Sequence, residues 1–464
     1  MASNASNCPV SPPGYFYRDN CSLLCKPAGW TDVLVFFLGN YVAHVATVNI
    51  SPGTSTYNWT WQCLIVFLAP GAGILSAFEA IQSRAIFAPT ELQMAARARA
   101  LVMVVPPPPP EADNSDSPSR VPESPGTEPS SPLDVHSGRR EQDIEWCLSV
   151  SSSRQRGASK WDVPRVHYDL TNCPLGEPDP SIQAQTIHGI LQLPKGYSLR
   201  VLDERARFEN DSEVPFLGGI WRGAIGLLGL SMPSRPWNTS VPCNKNFVTI
   251  IVSLFQLGFS LVTLYRARGD QVALYGYAAF GLTVAQYAWM SLLNLMGGLI
   301  RPQYSGLFLV ESQTLRDLKK KVAEQDKAHE FLLDGTLGKL TAKSENEILG
   351  VTRRNVDKIT GRYHSGLVVA LAAPLAVVGG ISHFSPGSSA LYQRVWIMMW
   401  QLSGYSTFFQ FFSLSFFATS GFALARIFIP VMACLLCLCA VSAVGGLVVV
   451  GKMIREYGVC VQVS

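Results

Sequence analysis

Charge is what this chain has least of. Only 15% of its 464 residues are Asp, Glu, Lys or Arg, against about 25% in ordinary soluble domains. The net charge of +4 is small and spread out, which excludes a basic nucleic-acid-binding domain. Recognisable chemistry is scarce as well. The sequence holds no HxxxH or HExxH pair, no GxSxG elbow, no P-loop and no GxGxxG opening a helix after a strand. Its seven histidines are too scattered for a di-iron box. No catalytic, cofactor-binding or metal-ligating residue is therefore assigned, and no cofactor is expected. Residues 1–20 lack the apolar core of a secretory signal, so the first span is expected to direct insertion.

Long charge-free apolar blocks are abundant. A bilayer core about 30 Å thick needs about 20 apolar helical residues, because backbone groups in lipid must be satisfied within their own segment. Seven stretches fit: 33–50, 59–81, 247–265, 272–300, 366–384, 395–418 and 428–451. No charged residue lies between Val33 and Phe78. The expected class is an all-α membrane protein, a bundle of about seven transmembrane helices with a long, partly disordered proline-rich loop. The organisation reads as a polar segment at 1–29, a transmembrane hairpin at 30–81 and a large hydrophilic loop at 82–245. A second hairpin at 246–300, a charged loop at 301–364, three more helices at 365–451 and a tail at 452–464 complete it. Trp30, Trp59, Trp61, Trp396 and Trp400 lie near the proposed ends, as interfacial aromatics do. The glycine-rich 216–232, with Arg222 inside it, reads as an interfacial or re-entrant helix rather than an eighth span.

Cationic loops are retained on the cytoplasmic side. With seven spans and a cytoplasmic N-terminus, 32 Lys and Arg residues fall inside and five outside. Both large hydrophilic stretches are then cytoplasmic. Ten prolines fall between Pro106 and Pro132. That tract, about 106–143, is expected to be disordered with polyproline II character, a spacer or a dock for an SH3- or WW-type proline-motif-binding protein. Ser117, Ser124 and Ser131 each precede proline, a weak phosphorylation signal. An amphipathic helix is expected over 88–104, and IHGILQLPKGYSLRVL reads as a small β-hairpin. In 301–364, Leu315, Leu318 and Val322 at helical spacing beside Lys319, Lys320 and Lys321 suggest either a solvated linker helix or one lying on anionic lipid.

The eleven cysteines do not form a metal motif. Cys434, Cys437 and Cys439 lie within the seventh span, where small-residue packing is expected. Cys21 and Cys25 are reduced if cytosolic and bridgeable if lumenal, and the sequence leaves both open. Sequons include those at Asn4, Asn20, Asn58, Asn210 and Asn238. Of these, only Asn58 is non-cytoplasmic in the seven-span reading, and glycosylation at Asn20 would contradict it.

Polar residues inside lipid are the best pointers to function, because each is costly unless partnered. Asn40 and His44 share a face of the first helix, with Asp32 about two turns earlier. The second helix adds Glu79, the fourth Gln286 and Asn294, and the sixth Gln401 and Gln410. Asn40, His44, Glu79, Gln286 and Asn294 are the candidate intramembrane polar site. They would relay protons or hold a head group, or else simply bond the helices together. Pro70 with Gly71 and Gly73 breaks the second helix, and Pro374 kinks the fifth.

CKPAGWTDVLVFFLGNYVAHVATV, LVTLYRARGDQVALYGYAAFGLTVAQYAWMSLLNL and AVGGLVVVGKMIREYGVC resemble a set of multi-pass membrane proteins of filamentous fungi. The resemblance covers the spans and their short links. It implies an integral membrane protein, in the plasma membrane or an endomembrane, and assigns no role to any residue. Two functional readings follow. One is a non-enzymatic membrane scaffold or sensor whose cytoplasmic loops bind a partner protein or anionic lipid. The other is a transporter or channel using the polar faces of helices one, two and four.

Overall fold

The computed structural model describes residues 8–18, 21–106, 187–188, 197–202, 204–209, 241, 243, 247–324, 336–350, 357–420 and 422–462. Most of the proline-rich tract, the 216–232 segment and the sequons at Asn4, Asn20, Asn210 and Asn238 lie outside these residues, as does the side chain of Gln410. The described residues are mostly helical. Two small sheets, which an all-α reading omits, close the two ends of the helical bundle.

Helix α1 (Trp30–Phe37) continues through a π turn at Leu38–Val42 into α2 (Ala43–Val45). The Gly29 backbone N–H donates to the Asp32 carboxylate at 2.9 Å, placing an acid where the helix dipole favours it. The second apolar block is not a rod. It forms α3 (Thr56–Leu68) and α4 (Pro70–Gln82), bent by 118° at the break. Pro70 has no N–H to give and clashes with the preceding turn, so it ends α3 and serves as the first residue of α4.

A buried helix end leaves orphan carbonyls that lipid cannot satisfy. Here Tyr287 Oη donates to the Phe67 carbonyl at 2.5 Å, and Trp400 Nε1 to the Leu68 carbonyl at 3.3 Å.

Beyond the large loop come α6 (Phe247–Ala267), α7 (Asp270–Tyr275), two 3₁₀ turns (Gly276–Ala278 and Phe280–Val284) and α8 (Ala285–Ile300). The fourth apolar block is thus broken near its start. Gly276, at φ +58°, lies where a Cβ would meet the Ser385 carbonyl oxygen at 2.0 Å. Three long helices finish the bundle: α11 (Asp357–Ser382), α12 (Leu391–Ser420) and α13 (Phe422–Tyr457). Pro374 frees the Ala370 carbonyl inside α11, and Trp289 Nε1 donates to it at 2.8 Å.

Three stretches among the described residues are long and apolar enough to cross a membrane unaided: Val248–Ala267, Ser365–Ser382 and Cys437–Tyr457. The bent α3–α4 pair makes a fourth only if counted as one span.

Side-chain pairs give the helix directions. Tyr41, His44 and Asn49 meet Thr283, Ser291 and Asn294 in order, so α1–α2 and α8 run parallel. Gly39 abuts Phe259 while the Ala43 carbonyl accepts from Gln256, so α6 runs the other way. Gly73 lies against Met290 and Gly297 against Ala77 and Ala80, which makes α4 parallel to α8. Helix α4 therefore heads back toward the end of the bundle at which α1–α2 finishes. A Cβ on Gly71 would sit 2.3 Å from the Gly404 carbonyl oxygen, so α4 and α12 touch backbone to backbone, the close approach that small residues permit between membrane helices.

At one end of the bundle β1 (Phe16–Arg18), β2 (Leu23–Lys26) and β7 (Val459–Gln462) form an antiparallel sheet. Cys25 pairs opposite Cys460, and the two are disulfide-bonded; a second bond joins Cys8 to Cys21. Arg455 lies over the Trp30 ring beside this sheet.

At the other end are β3 (Leu101–Val105), β4 (Ile187–His188), β5 (Ser198–Val201) and β6 (Leu307–Leu309). Their order, β4-β6-β3-β5, interleaves strands of both hydrophilic stretches. Loops 82–245 and 301–364 are thus one folded unit. The expected hairpin is not formed: β4 and β5 stand on opposite edges with β6 and β3 between them. The expected 88–104 helix is α5 (Glu91–Arg97) followed by β3.

Residues alternate across β3, as a pleated strand requires. Leu101 and Met103 pack with Leu92, Phe308 and Leu340 beneath α5 and α10 (Ala342–Gly350). Val102 and Val104 pack with Leu315 and Leu318 of α9 (Gln313–Glu324). The apolar face of the Lys-rich helix is therefore covered by protein. Leu315→Ala in the full-length protein should cost about 2–5 kcal/mol, the range for emptying a packed core position, read as a lowered unfolding temperature. No change would mean the side chain is not packed on the sheet. Cleavage within 107–186 should leave two fragments that migrate together without reductant and apart with it; migration apart in both lanes would contradict the Cys25–Cys460 link.

Candidate polar site in the bundle

The candidate residues do not converge. His44 is fully buried, with Nδ1 2.5 Å from Ser291 Oγ and Nε2 2.8 Å from Ser260 Oγ. Each hydroxyl can donate or accept, so a neutral imidazole is satisfied at both nitrogens whichever tautomer is present. The histidine joins three helices, α2, α6 and α8. Asn40 turns to its own helix, its Nδ2 donating to the Phe36 carbonyl at 3.1 Å within the π turn, while its buried Oδ1 has no partner.

Asn294 bonds Asn49, which donates from Nδ2 to the Asn294 carbonyl at 2.9 Å and to Oδ1 at 3.2 Å. Gln286 Nε2 donates to the Gln401 carbonyl at 2.7 Å. Glu79 is half-buried near the bundle end, where its charge acts on Arg301. The Glu79 level on α8 is that of Gly297 to Arg301, and the His44 level is that of Ser291. At 1.5 Å per residue the two groups are about 9 Å or more apart along the axis. Asp32 is further away still, capping α1 and lying 3.9 Å from the Lys26 ammonium.

Arg301 follows the last residue of α8 and is buried, its Nη2 donating to the Ile50 carbonyl at 3.2 Å. Burial pushes its guanidinium down to about 10, while the Glu79 charge acts the other way. Gln401 is buried with neither side-chain amide atom partnered. It lines, with Gly71, Ile74, Gln286, Pro374 and Gly404, a cavity about the size of one water molecule. Among the described residues no group of three His, Cys, Asp or Glu is placed to hold a metal ion. Cys434 and Cys437 face outward on α13.

The partners missed in the sequence are Ser260, Ser291, Asn49, Gln256 and Thr283. Gln256 and Ser260 are four apart on α6, as are Tyr287 and Ser291 on α8, so polar residues at helical spacing mark the faces that meet His44. No family model, characterised protein or solved structure matches the chain.

The arrangement is that of interhelical bonding. Tyr287→Phe keeps the ring and removes the donor to Phe67, and should cost about 1–3 kcal/mol for the stranded carbonyl. His44→Ala should lower folded yield by more, through lost volume as well as lost bonds. Size-exclusion yield and the phenotype per folded molecule separate the roles. Normal yield of His44→Ala with lost phenotype would make the histidine a working site.

Proposed function

We propose that this chain is a multi-pass integral membrane protein acting as a non-enzymatic scaffold or sensor, with a folded platform on the cytosolic face and a disulfide-tied cap on the opposite face. The observation that carries the reading is that each end of the helical bundle closes in its own sheet: β2 with β7 at one end, β3 with β6 at the other. Strands that pair must share a side of the membrane. Termini on one side require an even number of crossings, so seven does not fit. Six do: α1–α2, α6, the α7–α8 segment, α11, α12 and α13, with α3–α4 as a re-entrant loop.

Apolar side chains exposed on the outer faces of these helices support burial in lipid, among them Val35, Phe255, Val369 and Val441. Disulfides persist in oxidising compartments, which favours a lumenal or exterior cap. Cation counts agree: 30 Lys and Arg on the platform side and seven on the cap side. The difference from the seven-span reading is that the N-terminus moves outside while both loops stay in the cytosol.

The 107–186 stretch leaves from the end of β3 and returns at β4, two strands of one sheet. The platform would thus display the proline-rich segment, a ligand for an SH3- or WW-type module. A transporter or channel is the second reading, favoured by the α3–α4 break and the unpartnered Gln401 amide. The mutually bonded polar side chains around His44 favour the first.

Two experiments test this. Deleting Pro106 to Pro132 should abolish the phenotype at normal abundance for a scaffold, whereas a transporter should keep it. Glycosidase treatment should reveal a glycan that Asn20→Gln removes. A glycan removed by Asn58→Gln instead would overturn the orientation.

A further inference from the structure

Where the bundle meets the platform, four arginines gather. Helix α4 ends at Gln82, and Arg84 follows in the left-handed region at φ +47°. Helix α5 ends at Arg97, and Arg99 follows, also left-handed, at φ +62°. The Arg97 guanidinium donates to the Arg84 carbonyl at 3.3 Å, which brings the two helix ends together. Arg301, at the end of α8, feels the charge of Arg99.

The positions occupied by Arg84 and Arg99 are those where helices usually carry glycine, because a Cβ is strained there. At Arg99 the backbone makes the full glycine-type stop, with the Ala100 N–H bonded to the Ala95 carbonyl and the Arg99 N–H to the Ala96 carbonyl, both at 2.9 Å. Arginine thus stands at two positions where the geometry prefers glycine.

The cluster is not neutralised from within. Among the described residues no carboxylate forms an ion pair with Arg84, Arg97 or Arg99. Glu79 acts on the fourth arginine, Arg301, and Glu91 on Tyr304. The buried Nε of Arg97 is a donor without an acceptor. Both Arg84 and Arg99 are exposed, and Phe87, between them in sequence, is an exposed apolar ring. Arg84 lies two residues past α4 and Arg301 directly after α8, the level at which head groups lie in the membrane arrangement proposed above. By contrast, the Lys319–Lys321 helix has its apolar side against the sheet and is poorly placed to enter a bilayer.

We propose that Arg84, Arg97 and Arg99 form a binding site for the phosphate of an anionic phospholipid, with Phe87 beside the acyl chains. Guanidinium groups bind phosphate through paired N–H donors. The surface potential of an anionic cytosolic leaflet adds to the attraction. The proposal rests on the membrane reading above for the depth of the cluster and on its orientation for the choice of leaflet.

The test uses purified full-length protein, so a wrong orientation leaves its outcome unchanged. Thermal unfolding and native mass spectrometry are followed with phosphatidylserine, phosphatidylcholine or inorganic phosphate added. Phosphatidylserine should be retained and should raise the unfolding temperature, while phosphatidylcholine and inorganic phosphate should not. The double variant Arg84→Gly, Arg99→Gly relieves backbone strain, so it should fold as well as the parent in phosphatidylcholine. It should also lose phosphatidylserine binding at least tenfold. A variant with Lys319, Lys320 and Lys321 changed to Gln should bind as the parent does. Undiminished binding by the glycine variant, equal stabilisation by inorganic phosphate, or loss of binding in the lysine variant would each overturn the assignment.

Discussion

Pairing between segments far apart in the chain is the constraint on which this structure depends. Strand β2 lies against β7, Cys25 and Cys460 are bonded across a sequence separation of 435, and β6 of the second hydrophilic stretch lies between β4 and β3 of the first in a single sheet. Backbone hydrogen bonds of a sheet form only between strands on the same side of a membrane. In the membrane arrangement proposed above, two such pairings, one at each end of the bundle, require an even number of crossings, and the direction of α4 along α8 leaves α3–α4 as the segment that turns back. The helices between them have less freedom than seven independent rods would have.

The bundle interior solves a second problem, that of polar groups away from water. Pro70 and Pro374 each interrupt backbone hydrogen bonding within the apolar region. Indole and phenol donors from Trp400, Tyr287 and Trp289 supply partners for the carbonyls left behind. His44 is treated likewise, held by a serine at each ring nitrogen. Contacts of this kind contribute individually little in membranes, on average about 0.6 kcal/mol. Leaving such groups unpaired costs more, so the network is best understood as avoiding a penalty. Glycines act by shape instead: Gly71 against Gly404 and Gly445 against Trp396 let α4, α12 and α13 approach.

Much of the helical architecture was legible in the sequence because apolar runs are a local property. The helices at 247–267, 357–382 and 422–457 overlap the expected spans, and the Pro70 break was visible as a Pro-Gly pair. What escaped was non-local. Strands of two to five residues, such as Ile187–His188 or Leu307–Leu309, have no detectable alternation until their partners are known. Cys25 could be judged bridged or free only once Cys460 stood beside it. The polar site was partly visible: His44 was singled out, but Ser260 and Ser291 look like packing residues in an apolar helix. Grouping Glu79 with His44 failed because helix α4 starts midway through the bundle, which moves Glu79 toward the end of α8.

The central claim is that both termini lie on one face and both hydrophilic stretches on the other. Epitope tags at the N-terminus, the C-terminus and within 107–186, probed by protease in sealed vesicles of known orientation, read this directly. The account expects the two terminal tags to be digested or protected together, with the internal tag behaving oppositely. Terminal tags that differ from each other would mean an odd number of crossings and would contradict it.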